Sequence, residues 1–199
     1  MRRFVLGWKQ RGLEHRLGSQ VVTYADDLVI CCRRGKAEEA LSELRQLMGK
    51  LQLSVNEDKT RVCRVPDERF EFLGYSFGRL YSPRTGQPRM GHRPSKRSIQ
   101  RVVREIHALT DHVTTWRETE ETVWRLNRLL RGWSNYFSVG TVSGAYRAVD
   151  SYSASRLSRW LRKKHRERRR GYGSYPPSYL YQALGLVRLT GLKRGVSWA

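Results

Sequence analysis

Two adjacent aspartates, Asp26 and Asp27, are the residues of this sequence best suited to chemistry. They lie within VVTYADDLVICC, residues 21–32, between two runs of β-branched and apolar residues that predict strands. We therefore expect the pair at a hairpin tip. Carboxylates held at a tight turn between rigid strands suit a hard divalent cation such as Mg²⁺, and aspartates that merely form the turn are the alternative.

The chain as a whole is strongly basic, with 39 lysines and arginines against 18 acidic residues and a formal net charge of +21. Such a surplus favours a polyanionic partner, because basic groups that contact phosphates release condensed counterions. The surplus is concentrated in residues 91–199, which hold 22 basic and 7 acidic side chains, against 17 and 11 in residues 1–90. We expect nucleic acid as the partner, and a solvated basic face is the alternative.

The cysteines and the hydropathy indicate the compartment. Cys31, Cys32 and Cys63 form an odd set without C-x-x-C spacing, which disfavours a disulfide framework or a zinc site. Cys31 and Cys32 continue an apolar strand pattern and are expected to be small buried residues in a reducing environment. No apolar stretch is long enough to span a membrane. We expect a cytoplasmic protein associated with nucleic acid.

The elements that position the aspartates follow from periodicity. Apolar residues recur at helical spacing over residues 36–51. LSVNEDKT, residues 53–60, contains turn formers, and TRVCRV, residues 60–65, is typical of a short strand. FEFLGYSF, residues 70–77, has the aromatic alternation of a strand or hairpin, interrupted by a glycine. Residues 1–81 therefore predict an antiparallel sheet with a helix on one face.

The composition changes after residue 81. Three prolines and two glycines within SPRTGQPRMGHRPS predict a linker over residues 82–94. Beyond it, apolar stripes at helical spacing cover residues 99–109, 123–137 and 146–161. Ser95 is the expected N-cap of the first helix. Residues 95–199 therefore predict a second, all-α domain, and the fold class is α+β.

Several motifs occur in an order that resembles a known family. The YADD hairpin, the helix after it, LSVNEDKT and FEFLGYSF resemble the second half of the palm of reverse transcriptases, specifically those encoded by group II introns. LNRLLRGWSNYF, residues 126–137, and YLYQALGLVRLTG, residues 179–191, resemble the maturase-specific domain of that family. The resemblance extends from about residue 19 onward. It implies a partial reverse-transcriptase palm followed by an all-α thumb and maturase bundle.

The resemblance assigns roles to residues around the hairpin. Asp26 corresponds to the metal-binding catalytic aspartate, and Asp27 is its neighbour in the same metal site. Tyr24 is expected to line the nucleotide and primer side of the turn. Lys59 corresponds to a palm lysine near the leaving pyrophosphate, although a surface lysine is the alternative. The implied ligands are Mg²⁺ or Mn²⁺, a dNTP and an RNA template paired with a DNA primer.

The same resemblance assigns nucleic-acid contacts in the rest of the chain. Phe72, Leu73 and Gly74 correspond to the primer grip. Trp133 lies on the apolar stripe and is expected in the core, whereas Tyr136, off that stripe, is the expected stacking residue. The residues expected to bind intron RNA or the duplex are Arg97, Arg101, Arg125, Arg128, Arg131, Tyr136, Arg162, Lys163, Lys164, Arg168 and Arg169.

A palm of this family also needs an earlier aspartate and the fingers. About 20 residues precede the hairpin, and none is an aspartate. We therefore expect a C-terminal portion that is incomplete for catalysis alone: a truncated frame, an intron remnant or half of a split enzyme that works with a separate N-terminal fragment. One hypothesis is an enzyme part that performs RNA-directed DNA polymerisation. The other is a non-catalytic RNA-binding maturase module that helps splicing.

Overall fold

The computed structural model describes residues 1–82, 84–166 and 175–192. The α-helices are α1 (Arg2–Gln10), α2 (Leu13–Leu17), α3 (Ala37–Lys50), α4 (Lys96–Leu109), α5 (Thr119–Tyr136) and α6 (Ser143–Lys164). The strands are β1 (Gln20–Tyr24), β2 (Asp27–Cys31), β3 (Phe70–Phe72), β4 (Tyr75–Tyr81) and β5 (Pro88–Pro94). Short 3₁₀ turns at His112–Thr114 and Leu189–Gly191 and a π-helical turn at Tyr179–Ala183 are also present. The predicted α+β class is confirmed.

The N-terminal core lies between α1, α2, α3 and the β1–β2 hairpin. Its buried side chains are Phe4, Trp8, Leu13, Leu17, Ala40, Leu44, Leu47 and Met48. The helix predicted over residues 36–51 is α3, which uses its apolar stripe to cover this core. Val21, Leu28 and Ile30 of the hairpin pack onto the same cluster. Burial of one hairpin face therefore determines its register.

Two local predictions in this half are wrong. Residues 60–65 form no strand, because Val65 is exposed rather than packed on a sheet and Pro66, which follows it, has no N–H to donate. Cys31 is exposed, since the strand alternation places it on the outer face of β2. Cys32 is half-buried against the N-terminal core, and burial raises the pKa of its thiol.

A second antiparallel sheet has the strand order β3-β4-β5. Part of the predicted linker is wrong here, because residues 88–94 form β5 and pair with β4 from Tyr81↔Pro88 to Tyr75↔Pro94. Both prolines lie at the ends of an edge strand, where a missing N–H breaks no ladder. Two of the three prolines that indicated a linker therefore terminate a strand.

Helices α4, α5 and α6 form the helical bundle. Ile106, Leu126, Leu130 and Leu157 are completely buried in its core. The predicted cap at Ser95 is confirmed, since its Oγ accepts a hydrogen bond from the backbone N–H of Ser98 (3.2 Å). Among the described helices, none has both the length and the apolar composition needed to cross a membrane.

Residues 175–192 run along the bundle and are held there by two polar side chains. The Asn127 Oδ1 atom accepts a hydrogen bond from the backbone N–H of Val187 (2.7 Å). The buried Asp150 carboxylate accepts one from the N–H of Leu189 (2.8 Å). The N–H groups of Val187 and Leu189 are buried and bond to these side chains instead of backbone carbonyls, so the two side chains satisfy donors that would otherwise be unpaired.

Candidate functional site

The acid pair lies at the tip of the β1–β2 hairpin, as the sequence predicts. Tyr24 pairs with Asp27 across the hairpin, which leaves Ala25 and Asp26 as the two turn residues. All four are exposed. Ala25 has a φ of 47°, a left-handed conformation that costs a non-glycine residue about 1–2 kcal/mol. The packed hairpin therefore imposes a strained turn that presents the two carboxylates to solvent.

Strand alternation arranges the side chains around this tip. Val21, Leu28 and Ile30 face the N-terminal core and anchor the hairpin. Tyr24 and Asp27 are a directly opposed cross-strand pair on the outer face. The phenol and the carboxylate are therefore neighbours on the solvent side of the hairpin.

The donor set at the tip fits a hard divalent cation. Within the described residues, Asp26 and Asp27 form no ion pair, so their carboxylate oxygens are available as ligands. The same part of the chain contains no group of three or more His, Cys, Asp or Glu side chains that could hold a metal ion. Magnesium is commonly bound through one or two carboxylates, with water and substrate phosphates as its other ligands. Asp26 and Asp27 match that requirement.

Lys59 lies in a turn that follows α3. Its backbone N–H donates a hydrogen bond to the Asn56 Oδ1 atom (3.2 Å), and its side chain is exposed. In the described structure the Lys59 ammonium group forms no ion pair with Asp26 or Asp27. Its role beside a leaving pyrophosphate stays a prediction.

The residues expected to form the primer grip make the tight turn between β3 and β4. Phe72 ends β3, and Leu73 and Gly74 have φ values of 49° and 74°, as a type I′ hairpin requires. The Gly74 carbonyl accepts hydrogen bonds from the backbone N–H of Ser95 (2.8 Å) and the hydroxyl of Ser98 (2.9 Å). The hairpin is therefore docked on the first turn of α4.

Tyr136 also attaches this hairpin to the bundle. Its hydroxyl donates to the Leu73 carbonyl (3.0 Å), and the Tyr75 hydroxyl donates to the Tyr136 carbonyl (2.9 Å). The two rings stack with their centroids 6.3 Å apart, and Phe137 packs against both. Tyr136 remains 56% exposed, so stacking on nucleic acid stays a prediction beside this observed contact.

Several predicted nucleic-acid contacts are exposed cations. The side chains of this kind that form no ion pair within the described residues are Arg97, Arg101, Arg131 and Lys163. Arg125 instead pairs with Glu121 one turn earlier on α5 (2.7 Å). The Arg128 guanidinium lies 5.6 Å from the centroid of the exposed Trp124 ring. The phosphate contacts of these side chains stay a prediction.

The basic end of α6 is partly used within the protein. The Lys164 ammonium group donates hydrogen bonds to the carbonyls of Thr115 (3.2 Å) and Arg117 (2.6 Å). Arg162 is half-buried. Arg168 and Arg169 lie outside the described residues. Among the predicted contacts of this run that the structure describes, Lys163 is exposed and forms no ion pair.

Tyr75 and Trp124 make contacts beside the predicted site residues that were not predicted from the sequence. Tyr75 is paired with Phe72 across the β3–β4 turn, and only the fold reveals that its hydroxyl reaches α5. Trp124 had a usable signal, because an aromatic residue four positions before Arg128 on a helix predicts a cation–π pair.

Comparison with known families agrees with this geometry. Residues 2–77, which include the acidic hairpin, match the family model described as reverse transcriptase (RNA-dependent DNA polymerase). Residues 99–175, which include most of the helical bundle, match the group II intron, maturase-specific domain. No curated protein matches the sequence. Because both domains occur in the expected order on one chain, this protein belongs to the group II intron reverse transcriptase/maturase family.

Proposed function

We propose that Asp26 and Asp27 act in RNA-directed DNA synthesis by holding Mg²⁺ at the hairpin tip, while the helical bundle binds intron RNA. The observation that carries the proposal is a pair of exposed carboxylates without ion pairs among the described residues, at a strained turn of a chain with a net charge of +21. Two adjacent carboxylates at a rigid turn provide oxygen ligands of the kind that Mg²⁺ prefers.

The residues around the tip have distinct parts in this proposal. Bound Mg²⁺ supplies charge stabilisation for the primer hydroxyl and for the phosphates of the dNTP. Asp26 and Asp27 orient the ion, and Tyr24 provides an aromatic surface beside Asp27 for the primer end or the incoming nucleotide. Lys59 would approach the leaving pyrophosphate only when the substrate is bound.

The hairpin at Leu73–Gly74 positions the primer in this proposal. Its backbone is fixed to α4 through Ser95 and Ser98 and to α5 through Tyr136. A primer strand that contacts the hairpin is thereby held at a set distance from the bundle. Rigid support of this kind matters because catalytic geometry tolerates errors of only about 0.5 Å.

We also propose that catalysis needs a further carboxylate, brought by another polypeptide segment. Two carboxylates from Asp26 and Asp27 are the acidic ligands that the hairpin provides, and a two-metal centre needs more ligands than these. The complementary segment would also contribute to the dNTP pocket.

A second candidate is a non-catalytic maturase module that binds intron RNA and helps it splice. The observation in its favour is the number of exposed cations on the bundle without acidic partners in the described residues, among them Arg97, Arg101 and Arg131. Such a module makes no use of the acid pair, so the two candidates respond differently to its removal.

Primer extension separates the two candidates. We would assay dNTP incorporation on an RNA template with the chain alone and with a separately expressed fingers and first-palm fragment of a related enzyme. The proposal expects activity in the mixture, lost in Asp26→Ala and kept in the control Asp58→Ala, which removes an exposed carboxylate from a turn. No activity in the mixture, together with salt-dependent RNA binding that Asp26→Ala leaves unchanged, supports the module.

A further inference from the structure

The β3-β4-β5 sheet has a polar face that the proposed function does not use. The pairing register places Glu71, Ser76 and Arg93 in one row across the three strands. The adjacent rows, through Phe77 and Tyr75, lie on the opposite face and carry the aromatic side chains that pack together. The polar row is therefore turned away from the aromatic contacts of the sheet.

This row forms part of a cleft of about 590 Å³. The side chains that line the cleft are Arg61, Arg69, Glu71, Ser76, Arg93 and Lys96. Four of the six are cationic and one is acidic, and none is aromatic or aliphatic. A concave surface of predominantly one charge focuses the electrostatic potential and attracts counterions.

Two of the arginines are held in place by the backbone. The Arg61 guanidinium donates a hydrogen bond to the Arg69 carbonyl (3.0 Å), and that of Arg69 donates to the Arg79 carbonyl (3.2 Å). The stem of Arg69 crosses Gly78, where a Cβ atom would lie 2.5 Å from the Arg69 Cγ atom. A guanidinium has five N–H donors, so each arginine keeps donors for a ligand after these bonds.

The other two cations of the cleft, Arg93 and Lys96, have no acidic partner among the described residues. Both are exposed, and Glu71 is likewise unpaired there. Gathering four cations around one carboxylate leaves repulsion that a bound anion relieves. Arginine suits phosphate oxygens because its planar fork can donate two parallel hydrogen bonds.

We propose that this cleft binds the phosphodiester backbone of RNA. This proposal rests on the proposed function, in which the protein binds nucleic acid. The lining favours a backbone over a nucleotide base, because it contains no ring on which a base could stack. Binding at the cleft is therefore independent of base sequence. Lys96 begins α4, so the site joins the sheet to the bundle and extends the nucleic-acid surface onto residues outside the helices.

The test measures binding of a fluorescein-labelled RNA duplex of about 20 base pairs by anisotropy at several KCl concentrations. The double variant Arg93→Ala/Lys96→Ala should lower the slope of log K against log salt by about 2, one for each lost phosphate contact. The control Arg34→Ala/Lys50→Ala removes the same charge from exposed positions outside the cleft and should leave the slope unchanged. Glu71→Gln should tighten binding. Circular dichroism checks that each variant is folded.

The alternative outcomes are distinguishable. If the unsubstituted chain binds the duplex and the cleft variant keeps the same slope, the inference fails and the proposed function stands. If the unsubstituted chain shows no salt-dependent RNA binding, both fail. A titration with sodium pyrophosphate at constant ionic strength tests for a small-anion site. Pyrophosphate binding that is lost in the cleft variant, with an unchanged RNA slope, overturns the RNA assignment.

Discussion

Tyr75 and Tyr136 each donate a hydrogen bond to a backbone carbonyl in the other residue's segment of the chain. The Tyr75 hydroxyl donates to the Tyr136 carbonyl, and the Tyr136 hydroxyl donates to the carbonyl of Leu73, two residues before Tyr75. The residues are 61 positions apart in sequence, so the contact joins two distant segments. The β3–β4 hairpin and α5 are therefore linked by two hydrogen bonds and a ring stack at the point where a primer is proposed to bind.

Removing either hydroxyl should weaken this link. Tyr75→Phe and Tyr136→Phe each delete one hydrogen bond while keeping the ring, and we expect each to lower the free energy of unfolding by about 1 kcal/mol. Urea denaturation measures the change. Tyr81→Phe is the control, because Tyr81 is an exposed residue of β4. Additive effects in the double variant would contradict a coupled link.

The link should also respond to alkaline pH. Burial raises the pKa of Tyr75 above its ordinary value of 10.0. A raised pKa means that the stabilisation is fully present below pH 10 and is lost as the pH rises through the pKa of the folded state. Stability measured between pH 8 and 11 should therefore fall above pH 10, and the fall should be smaller in Tyr75→Phe. An equal fall in both proteins would show that other groups cause it.

Gly74→Ala should undock the hairpin. The position has a φ of 74°, and a Cβ atom there would lie 2.8 Å from the Ser98 Oγ atom and 3.2 Å from the Phe137 ring. Backbone strain alone lowers the free energy of unfolding by about 1–2 kcal/mol. We expect a larger decrease in Gly74→Ala, because the added Cβ atom also meets Ser98 and Phe137. Gly86→Ala is the matched control, since Gly86 has a φ of 66° and open space around it. Thermal unfolding measures the difference, and an equal fall in the Tm of both variants would contradict the close docking of Gly74.

Asp150→Ala should release residues 185–192 from the bundle. The carboxylate accepts hydrogen bonds from the N–H groups of Leu189 and Thr190 and from the Thr190 hydroxyl (2.9 Å). We expect the free energy of unfolding to fall by about 2–4 kcal/mol, because removing the carboxylate leaves its hydrogen-bond donors unpaired. Asp150→Asn should cost less, since its amide keeps one acceptor oxygen. Limited proteolysis compares the variants, and equal protection in all of them would contradict this role.

Lys163 and Lys164 should behave differently although they are adjacent. Lys164→Ala removes the hydrogen bonds to the Thr115 and Arg117 carbonyls and should lower thermal stability. Lys163→Ala should leave stability unchanged. It should lower the slope of log K for RNA binding against log salt by about 1, because one exposed cation is lost. The reverse pattern would show that the α6 terminus presents its cations differently.

The sequence predicted those parts of the fold that depend on local periodicity. The hairpin with Asp26 and Asp27 and the three bundle helices follow from alternation and apolar stripes, which act over a few residues. Strand β5 was missed because its prolines and glycines are turn formers, and only pairing with β4 makes them a strand. The link from Tyr75 to Tyr136 was missed because no local pattern encodes a contact between segments so far apart.

Paramagnetic broadening by Mn²⁺ measures directly whether Asp26 and Asp27 form a divalent metal site. In a ¹⁵N-labelled chain, low Mn²⁺ concentrations should broaden the amide signals of Ala25 to Asp27 selectively, and excess Mg²⁺ should restore them. Asp26→Ala should abolish the effect. The adjacent acids Glu57 and Asp58, of which Glu57 pairs with Arg45, provide the internal control. Broadening at the hairpin no greater than at Glu57 and Asp58 would contradict a metal site at Asp26 and Asp27.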